Sequence, residues 1–356
     1  MAHGGDIYRN KVHMDFSVNL NPMGTPKKVK EALQEALKRS GCYPDPEQEA
    51  VRHVISETLG LLPENVIAAS GASALLMAAV RAIAPGRALL FEPSFSGYRY
   101  ALSAAGCEIE VSRMGQESGF SLTTEALSSI REDIDLIFVC EPASPSGALG
   151  GEGVITQLLS RAAAVGATVI LDESFYQLSD AWKRDAEKLE GRADHAASYL
   201  QSYENLIIIR SLTKTLALPG IRIGYALSER GRIQGMKEQL PQWDLSVMGE
   251  EVIMAGMRTL YEGDYLSVSI ERIQKERRFL EDGLRDMGLF VFASNAPYLL
   301  LKGPKDLYQK LLQKGILIRD CSDYEGLGSG YFRIAVRQHA ENEVLLQTIR
   351  GIIDAR

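Results

Sequence analysis

The residues most able to do chemistry lie in one segment, Ser211–Gly224, which follows an apolar strand predicted over Leu206–Arg210. This segment places Lys214 among small hydroxyl residues and adds a second cation, Arg222, beyond a Pro-Gly turn. A lysine that is shielded from water near another cation loses proton affinity and becomes a usable nucleophile for an aldehyde. The ordinary alternative is an exposed loop lysine, because most lysines lie at the surface. The segment by itself leaves both interpretations open.

Other predicted strands also end in residues suited to a binding site. Ser70–Ser73 opens a helix, where free backbone N–H groups and the helix dipole can bind a phosphate. Phe95 and Asp172 follow two later apolar runs. Taken singly, these residues have ordinary alternatives as a helix cap, a core ring and a turn residue. In open α/β sheets, however, ligands bind beyond the carboxyl ends of the strands, so these residues can belong to one site.

The elements that must position these residues alternate between short apolar runs and longer helical stretches, a pattern typical of a largely parallel α/β sheet. Strands are predicted over Val66–Ala69, Ala88–Phe91, Leu136–Cys140, Thr168–Leu171, Leu206–Arg210 and Ile221–Ala226. Helices are predicted over Ser73–Ala84, Val154–Ala164 and Glu250–Tyr261. These elements predict a large sheet domain over residues 41–262.

The sequence changes character after residue 262. A charged helix is predicted over Ile270–Met287, and strand-like runs follow at Tyr298–Leu301, Ile316–Arg319 and Phe332–Val336. This pattern predicts a smaller α+β domain over residues 263–356. The arm over residues 1–40 is rich in turn-forming residues, and we predict that it belongs in part to the smaller domain.

Composition narrows the function class. The chain has 356 residues, 46% hydrophobic and 24% charged, with a formal net charge of -7, so no broad basic surface for nucleic acid is expected. The opening MAHGGDIYRN lacks a signal-peptide core, and the apolar run over 72–84 is short and contains Arg81, so we predict a cytoplasmic protein without a membrane span. The four cysteines and five histidines form neither C-x-x-C nor H-E-x-x-H, so no metal site is predicted.

The long segment around Lys214 resembles the cofactor-lysine signature of fold-type I pyridoxal-5′-phosphate (PLP) enzymes, in the branch with histidinol-phosphate aminotransferases and threonine-phosphate decarboxylases. The resemblance covers nearly the whole chain and implies a mostly parallel seven-stranded sheet between helices, with a smaller α+β domain. It also implies that Lys214 holds PLP as a Schiff base, that Asp172 pairs with the pyridine nitrogen, and that Phe95 stacks on the ring.

The same resemblance implies which residues bind the cofactor phosphate and which oligomer the protein forms. The residues that it implies for phosphate binding are Gly71, Ala72, Ser73, Ser211 and Arg222. Tyr43, in Tyr43-Pro44-Asp45-Pro46, is similar to the tyrosine that reaches the phosphate of the partner subunit. The resemblance therefore implies a homodimer with shared active sites.

The two ends of the chain discriminate between reactions. The opening His3-Gly4-Gly5-Asp6-Ile7, and later Ile316–Cys321 and Gly330–Arg337, resemble the L-threonine-O-3-phosphate decarboxylases of cobalamin biosynthesis. That resemblance implies that His3, Asn19, Arg333 and Arg337 hold the phosphate and carboxylate of a phosphorylated amino acid. Surface salt bridges are the ordinary alternative for the arginines.

Other reactions stay open. An aminotransferase acting on histidinol phosphate or a related amino acid would share every cofactor residue, because one fold supports several reactions. A nicotinamide dehydrogenase is disfavoured, because the glycine clusters at 150–153 and 326–330 lack the full G-x-G-x-x-G in its strand–helix context. A catalytically silent relative would be expected to lose Lys214 or Asp172, and both are present.

Two positions depart from the family pattern near one cofactor atom. Ser144 stands where the family has an asparagine that donates to the phenolic oxygen of the cofactor, and Phe175 stands where many aminotransferases have a tyrosine. Without these donors the phenolate is less stabilised, which predicts a raised pKa for the Schiff base. Phenylalanine at the second position also occurs in the decarboxylases, so Phe175 is compatible with decarboxylation.

Overall fold

The computed structural model describes residues 4–151, 153–188 and 194–355. Its strands are, in chain order, β1 (Met14–Asp15), β2 (Val66–Ala69), β3 (Arg87–Glu92), β4 (Glu108–Arg113), β5 (Leu136–Cys140), β6 (Thr168–Asp172), β7 (Leu206–Ser211), β8 (Gly224–Leu227), β9 (Phe290–Val291), β10 (Tyr298–Lys302), β11 (Ile316–Leu317), β12 (Arg319–Asp320) and β13 (Tyr331–Ala335). Its α-helices are α1 (Lys27–Ala36), α2 (Glu49–Leu59), α3 (Ala72–Ile83), α4 (Ser96–Ala104), α5 (Val154–Val165), α6 (Asp180–Lys188), α7 (His195–Ser202), α8 (Leu212–Thr215), α9 (Arg230–Gln239), α10 (Val247–Tyr261), α11 (Tyr265–Arg285), α12 (Leu307–Gln313) and α13 (His339–Asp354).

The large sheet has seven strands in the order β2-β8-β7-β6-β5-β3-β4. Only β8 runs against the others, because it pairs antiparallel with both β2 and β7 while the remaining pairs are parallel. Helices connect the parallel strands, as parallel pairing requires. The predicted α/β class with a mostly parallel seven-stranded sheet is confirmed.

The central strands are apolar throughout because both faces of the sheet are covered. In β5, Ile137 and Val139 pack in the core on one face, whereas Leu136 and Phe138 pack in the core on the other. Successive side chains of a strand point to opposite faces, so a strand between two helical layers needs apolar residues at every position. The unbroken apolar runs in the sequence therefore mark the central strands.

A second, smaller sheet contains β12, β13, β10 and β9 in that order, and its pairs are all antiparallel. The N-terminal arm joins this part of the chain, because β1 pairs with β11 through Met14 opposite Ile316. Phe16, the next residue, donates its N–H to the carbonyl of Leu317 at 2.7 Å and accepts from the N–H of Ala335 at 2.8 Å. The smaller α+β unit is confirmed, whereas the domain boundaries predicted at residues 40 and 262 stay a prediction.

Three sequence predictions need correction. The strand predicted over Ile221–Ala226 begins only at Gly224, because 219–221 forms a 3-10 turn and Arg222 adopts a left-handed conformation with φ +58°. The run Ile316–Arg319 is divided between two short strands in different sheets. The edge strand β4 was not predicted, since its sequence EIEVSR alternates charge with apolar residues, as a half-exposed strand does.

Within the described residues, none of the helices combines the length and the apolar character needed to cross a bilayer. The cytoplasmic location stays a prediction.

Candidate active site

A cavity of ≈ 340 Å³ opens at the carboxyl ends of the parallel strands β5, β6 and β7. That volume is within the range of small-molecule sites. Most of the residues singled out in the sequence line this cavity: Asn19, Ala72, Ser73, Phe95, Ser144, Asp172, Phe175, Ser211, Lys214, Arg222 and Arg333. Segments far apart in the chain therefore converge on one space, as expected at this edge of a parallel sheet.

Lys214 lies on the short helix α8, directly after β7. Burial lowers the pKa of its ammonium group to about 8, and the positive charges of Arg333 and Arg222 act in the same direction. The carboxylate of Asp172 opposes these effects. The lowered pKa increases the fraction of unprotonated amine near neutral pH, which is the form that attacks a carbonyl carbon.

Asp172 is the last residue of β6 and is only 4% exposed. The Tyr98 hydroxyl donates to its Oδ2 at 2.6 Å, and the Ser174 backbone N–H donates to its Oδ1 at 2.9 Å. Burial raises the pKa of Asp172, whereas both hydrogen bonds favour its charged form. A buried carboxylate held in this way is suited to pairing with a cationic ring nitrogen.

An anion-binding cup lies at the start of α3. Gly71 adopts φ +89°, and a Cβ there would lie 2.8 Å from Nη2 of Arg222, so the close approach of the guanidinium requires glycine. Ser73 and Ser211 add hydroxyl groups to the same cavity wall. The first N–H groups of α3, a guanidinium and these hydroxyls are together suited to binding a phosphate.

The start of this cup is also anchored from outside the cavity. Asp244 accepts the Ser70 N–H with its Oδ2 at 2.6 Å and the Ser70 hydroxyl with its backbone carbonyl. The loop before α3 is therefore fixed before any ligand binds.

The other end of the cavity carries buried polar atoms without a partner. Among the described residues, Nε of Arg333 and Oδ1 of Asn19 make no hydrogen bond. The remaining nitrogens of Arg333 do have partners: Nη1 donates to the Ser144 hydroxyl at 3.1 Å and Nη2 donates to the carbonyl of Ser17 at 3.2 Å. Because leaving a buried donor unpaired is costly, these atoms indicate a place where a ligand binds.

Arg319 and Tyr98 are among the cavity residues that were not predicted as site residues from the sequence. Arg319 donates to both carboxylate oxygens of Asp323, at 2.7 and 2.9 Å, and lies over the ring of Tyr324. Tyr98 also lines the cavity. Arg319 ends a predicted strand, which is the same signal that marked Asp172. Tyr98 lies inside a helix, three residues after Phe95, and only helix geometry could have pointed to it.

Some predicted site residues do not meet the others. Arg337 is outside the set of described residues that line the cavity; it donates to the carbonyl of Asp15 at 2.6 Å and pairs with Glu341, so it ties the N-terminal arm to α13. Tyr43 is 79% exposed and its ring contacts that of Trp243, with centroids 4.9 Å apart. His3 lies outside the described residues.

Pyridoxal 5′-phosphate fits the residues that are present. The cup at α3 suits its phosphate, the buried Asp172 suits its ring nitrogen, Lys214 suits its aldehyde, and Phe95 supplies an aromatic surface in the same cavity. When bound, the cofactor supplies an electron sink for the bonds around the α-carbon of an amino acid. Fold and site together define a PLP-dependent enzyme of fold type I.

The family model for class I and II aminotransferases matches residues 11–349, and the chain belongs to this PLP-dependent family. The threonine-phosphate decarboxylase of Salmonella typhimurium is 28% identical over an alignment that covers 99% of this chain and 96% of the relative. The histidinol-phosphate aminotransferase of Methanosphaera stadtmanae is 25% identical, covering 94% and 89%. The crystal structure of the histidinol-phosphate aminotransferase from Clostridium acetobutylicum has a TM-score of 0.85 at 25% identity, covering 96% of this chain and 100% of that one.

Proposed function

We propose that the protein decarboxylates L-threonine O-3-phosphate to (R)-1-amino-2-propanol O-2-phosphate in cobalamin biosynthesis, with PLP on Lys214. The observation that carries the proposal is that the cavity contains, besides Arg222 of the phosphate cup, Arg333 with a buried Nε that has no partner among the described residues. A substrate with both a carboxylate and a phosphate needs such a second cationic group. The similarity to a threonine-phosphate decarboxylase and the opening and closing motifs of the chain support this substrate.

The choice of bond follows from where the anionic groups of the substrate are held. Only the α-carbon bond that stands perpendicular to the cofactor ring can release its electrons into the ring. If the Arg333 end takes the substrate phosphate, the carboxylate is free to turn out of the ring plane. Lys214, whose pKa is about 8, is then suited to give a proton to the α-carbon as a general acid.

A product assay tests this proposal. The holoenzyme is incubated with threonine phosphate, serine phosphate or histidinol phosphate, and carbon dioxide and keto-acid-dependent amine transfer are both measured. We expect carbon dioxide from threonine phosphate in preference to serine phosphate. Histidinol phosphate has no carboxylate and therefore reports only amine transfer. Amine transfer without gas release would reject decarboxylation.

The second candidate is transamination of histidinol phosphate or a related amino acid. It is favoured by the similarity to histidinol-phosphate aminotransferases, and it uses the same Lys214, Asp172 and phosphate cup. Histidinol phosphate has no carboxylate to lose, so the α-proton is the group that leaves. For a related amino acid, Arg333 would instead hold the carboxylate in the ring plane, which favours loss of the α-proton. Under this candidate, the same assay gives amine transfer to a keto acid.

We also propose a homodimer in which Tyr43 reaches the phosphate cup of the partner subunit. The exposed position of Tyr43 is compatible with this role. Mixing inactive Lys214→Ala subunits with inactive Tyr43→Ala subunits tests it, because a mixed dimer regains one intact site. Recovery of no more activity than either variant shows alone would contradict shared sites.

A further inference from the structure

Tyr98 connects two parts of the cofactor site, although it is almost fully removed from solvent. It lies in the first turn of α4, where its backbone N–H donates to the carbonyl of Phe95, the residue that precedes the helix. The side chain is 1% exposed, and its hydroxyl donates to Oδ2 of Asp172 at 2.6 Å. The hydroxyl therefore lies behind the carboxylate that faces the cavity.

Aromatic packing fixes the ring of Tyr98 in this position. It stacks on Phe138, with centroids 4.8 Å apart and planes inclined by 16°, and it meets the ring of Phe95 edge to face at 5.6 Å and 85°. Phe138 belongs to β5, the strand next to the one that carries Asp172. Tyr98 thus contacts both the carboxylate and the aromatic residue of the cavity wall.

The direction of the hydrogen bond is fixed by the surroundings. Burial and the nearby negative charge of Asp172 raise the pKa of Tyr98 well above its usual value, so the phenol keeps its proton and acts as the donor. The groups that interact with Asp172 are Tyr98 from α4, Cys140 from β5, Tyr298 from β10, Lys214 from α8 and its own neighbours Glu173 and Ser174. Besides the Ser174 contacts, Tyr98 is the group that stabilises the charged carboxylate by hydrogen bonding.

We propose that Tyr98 is a positioning residue for the cofactor: its hydroxyl holds Oδ2 of Asp172 so that the charged carboxylate faces the ring nitrogen, while its ring supports Phe95. The proposal rests on the use of PLP in this cavity but not on which reaction follows. It assigns to Tyr98 a task that acts through Asp172 rather than through contact with the substrate.

The substitution Tyr98→Phe removes one oxygen and keeps the ring. We expect the dissociation constant of PLP, measured on the apoprotein by absorbance or fluorescence, to rise by roughly 10-fold, because a hydrogen bond to a charged group is lost. The deficit should grow as the pH falls, since Asp172 without this donor is protonated more easily. Tyr225→Phe is a matched control, because Tyr225 is fully buried beside Arg210 and Tyr261 and is not among the described residues that line the cavity.

A cofactor analogue isolates the role of Asp172. In the PLP analogue whose ring nitrogen is replaced by a C–H group, there is no nitrogen for the carboxylate to face. We therefore expect Tyr98→Phe and the parent to bind this analogue equally well. If Tyr98→Phe weakens the binding of PLP and of the analogue equally, Tyr98 is only a packing residue and the proposal is wrong. Unchanged binding of both ligands would also overturn it.

A second variant covers the case in which Tyr98→Phe does not fold. Phe138→Leu keeps the hydroxyl but loosens the ring that carries it, and it should weaken PLP by a few-fold more than the analogue. Equal weakening of both ligands by Phe138→Leu would contradict the proposal. All of these measurements are made without substrate. Failure of the parent to bind PLP would instead overturn the proposed function, so the two failures are distinguishable.

Discussion

Two buried polar regions lie next to each other at the ends of β6 and β7. They differ in whether their charged groups are paired within the protein. One is the cofactor cavity, which contains Asp172 and Ser211. The other, which we call the ion cluster, consists of Glu173, Asp194, His195 and Arg210. Asp172 and Glu173 are consecutive, as are Arg210 and Ser211, so each chain segment supplies one residue to each region. The alternation of side-chain direction along an extended chain separates the two.

In the ion cluster every charge has a close partner. Arg210 is fully buried; its Nη1 and Nη2 donate to the two carboxylate oxygens of Asp194 at 2.7 Å, and its Nε donates to Oε2 of Glu173 at 2.7 Å. His195 contacts the other oxygen of Glu173 at 2.6 Å through Nε2. These pairs compensate the charges of the cluster without a ligand, which indicates a structural role.

The pKa shifts express the same contrast. The pKa of Glu173 and that of Asp194 are lowered and the pKa of His195 is raised by opposite charges nearby, which outweigh burial, so each group is held in its charged form. In the cavity, burial lowers the pKa of Lys214 and raises that of Asp172, so each is pushed toward its neutral form. Burial alone therefore does not mark a functional site. A functional site is marked instead by buried charged groups that gain an opposite partner only when a ligand binds.

The largest expected effect is on activity at the cavity. Lys214→Met should lower turnover by about 1000-fold or more, because it removes both the nucleophile and the proton donor. The free energy of unfolding of the apoprotein should not fall, since an apolar side chain replaces a desolvated amine. Activity assays and denaturant unfolding measure the two quantities. Lys38→Met, at an exposed lysine, should change neither. A large stability loss in Lys214→Met would break the contrast between the two regions.

The next effect is on stability at the ion cluster. Arg210→Met should lower the free energy of unfolding by about 3–5 kcal/mol, because it leaves the carboxylates of Glu173 and Asp194 buried without their cation. Denaturant unfolding at neutral pH measures this loss. Arg131→Met, which removes an arginine from exposed pairs with Glu110 and Asp133, should cost far less. Similar losses for the two variants would show that the cluster is not a special element of stability.

A smaller effect separates the two C-terminal arginines. Arg333→Met should raise KM for the phosphorylated substrate by about 10-fold or more, because it removes a charged donor from the cavity. Arg337→Met should leave KM nearly unchanged and lower the melting temperature instead, since Arg337 pairs with Glu341 and the carbonyl of Asp15. Steady-state kinetics and thermal unfolding provide both readouts. A large rise in KM for Arg337→Met would restore its predicted role in substrate binding.

The smallest effect is a pH dependence of stability. His195 has a pKa above the unfolded reference of 6.5, so its contribution is fully present below that value and is lost as the pH rises through the folded pKa. Glu173 has a lowered pKa, so its contribution is lost only as the pH falls through that lowered value. His195→Gln should therefore flatten the decline in stability on the alkaline side of pH 6.5. An unchanged profile would show that His195 does not carry this charge coupling.

The cavity could be predicted from the sequence because its residues follow apolar strands. Asp172, Ser211 and Lys214 come at or directly after the ends of β6 and β7, where the chain leaves the sheet. The ion cluster could not be predicted, because Asp194 and His195 lie outside the strands and meet Arg210 only through the fold. Arg337 was predicted to line the cavity because of its place in a motif. Its side chain is instead directed by the hydrogen bond to the carbonyl of Asp15 in β1, which the sequence does not reveal.

The tuning of the cofactor ring by Ser144 stays a prediction. The structure places the Ser144 hydroxyl against Arg333, where it accepts a hydrogen bond at 3.1 Å. A hydroxyl that accepts one bond can still donate another, so Ser144 is not excluded as a donor to the cofactor. The family resemblance identified the position where serine replaces asparagine. The contact between Ser144 and Arg333 is visible only in the folded structure.

The pairing of β1 with β11 sets the order in which the site can be completed during synthesis. Ser17 and Asn19, which line the cavity, emerge early from the ribosome, but the strand that anchors their segment is made near the end of the chain. The part of the cavity wall formed by Ser17, Asn19 and Arg333 therefore cannot assemble on a nascent chain that lacks β11 and β13. A chain truncated before β11 would lack Arg319, Arg333 and the strand that anchors Ser17 and Asn19, so it should not turn over substrate.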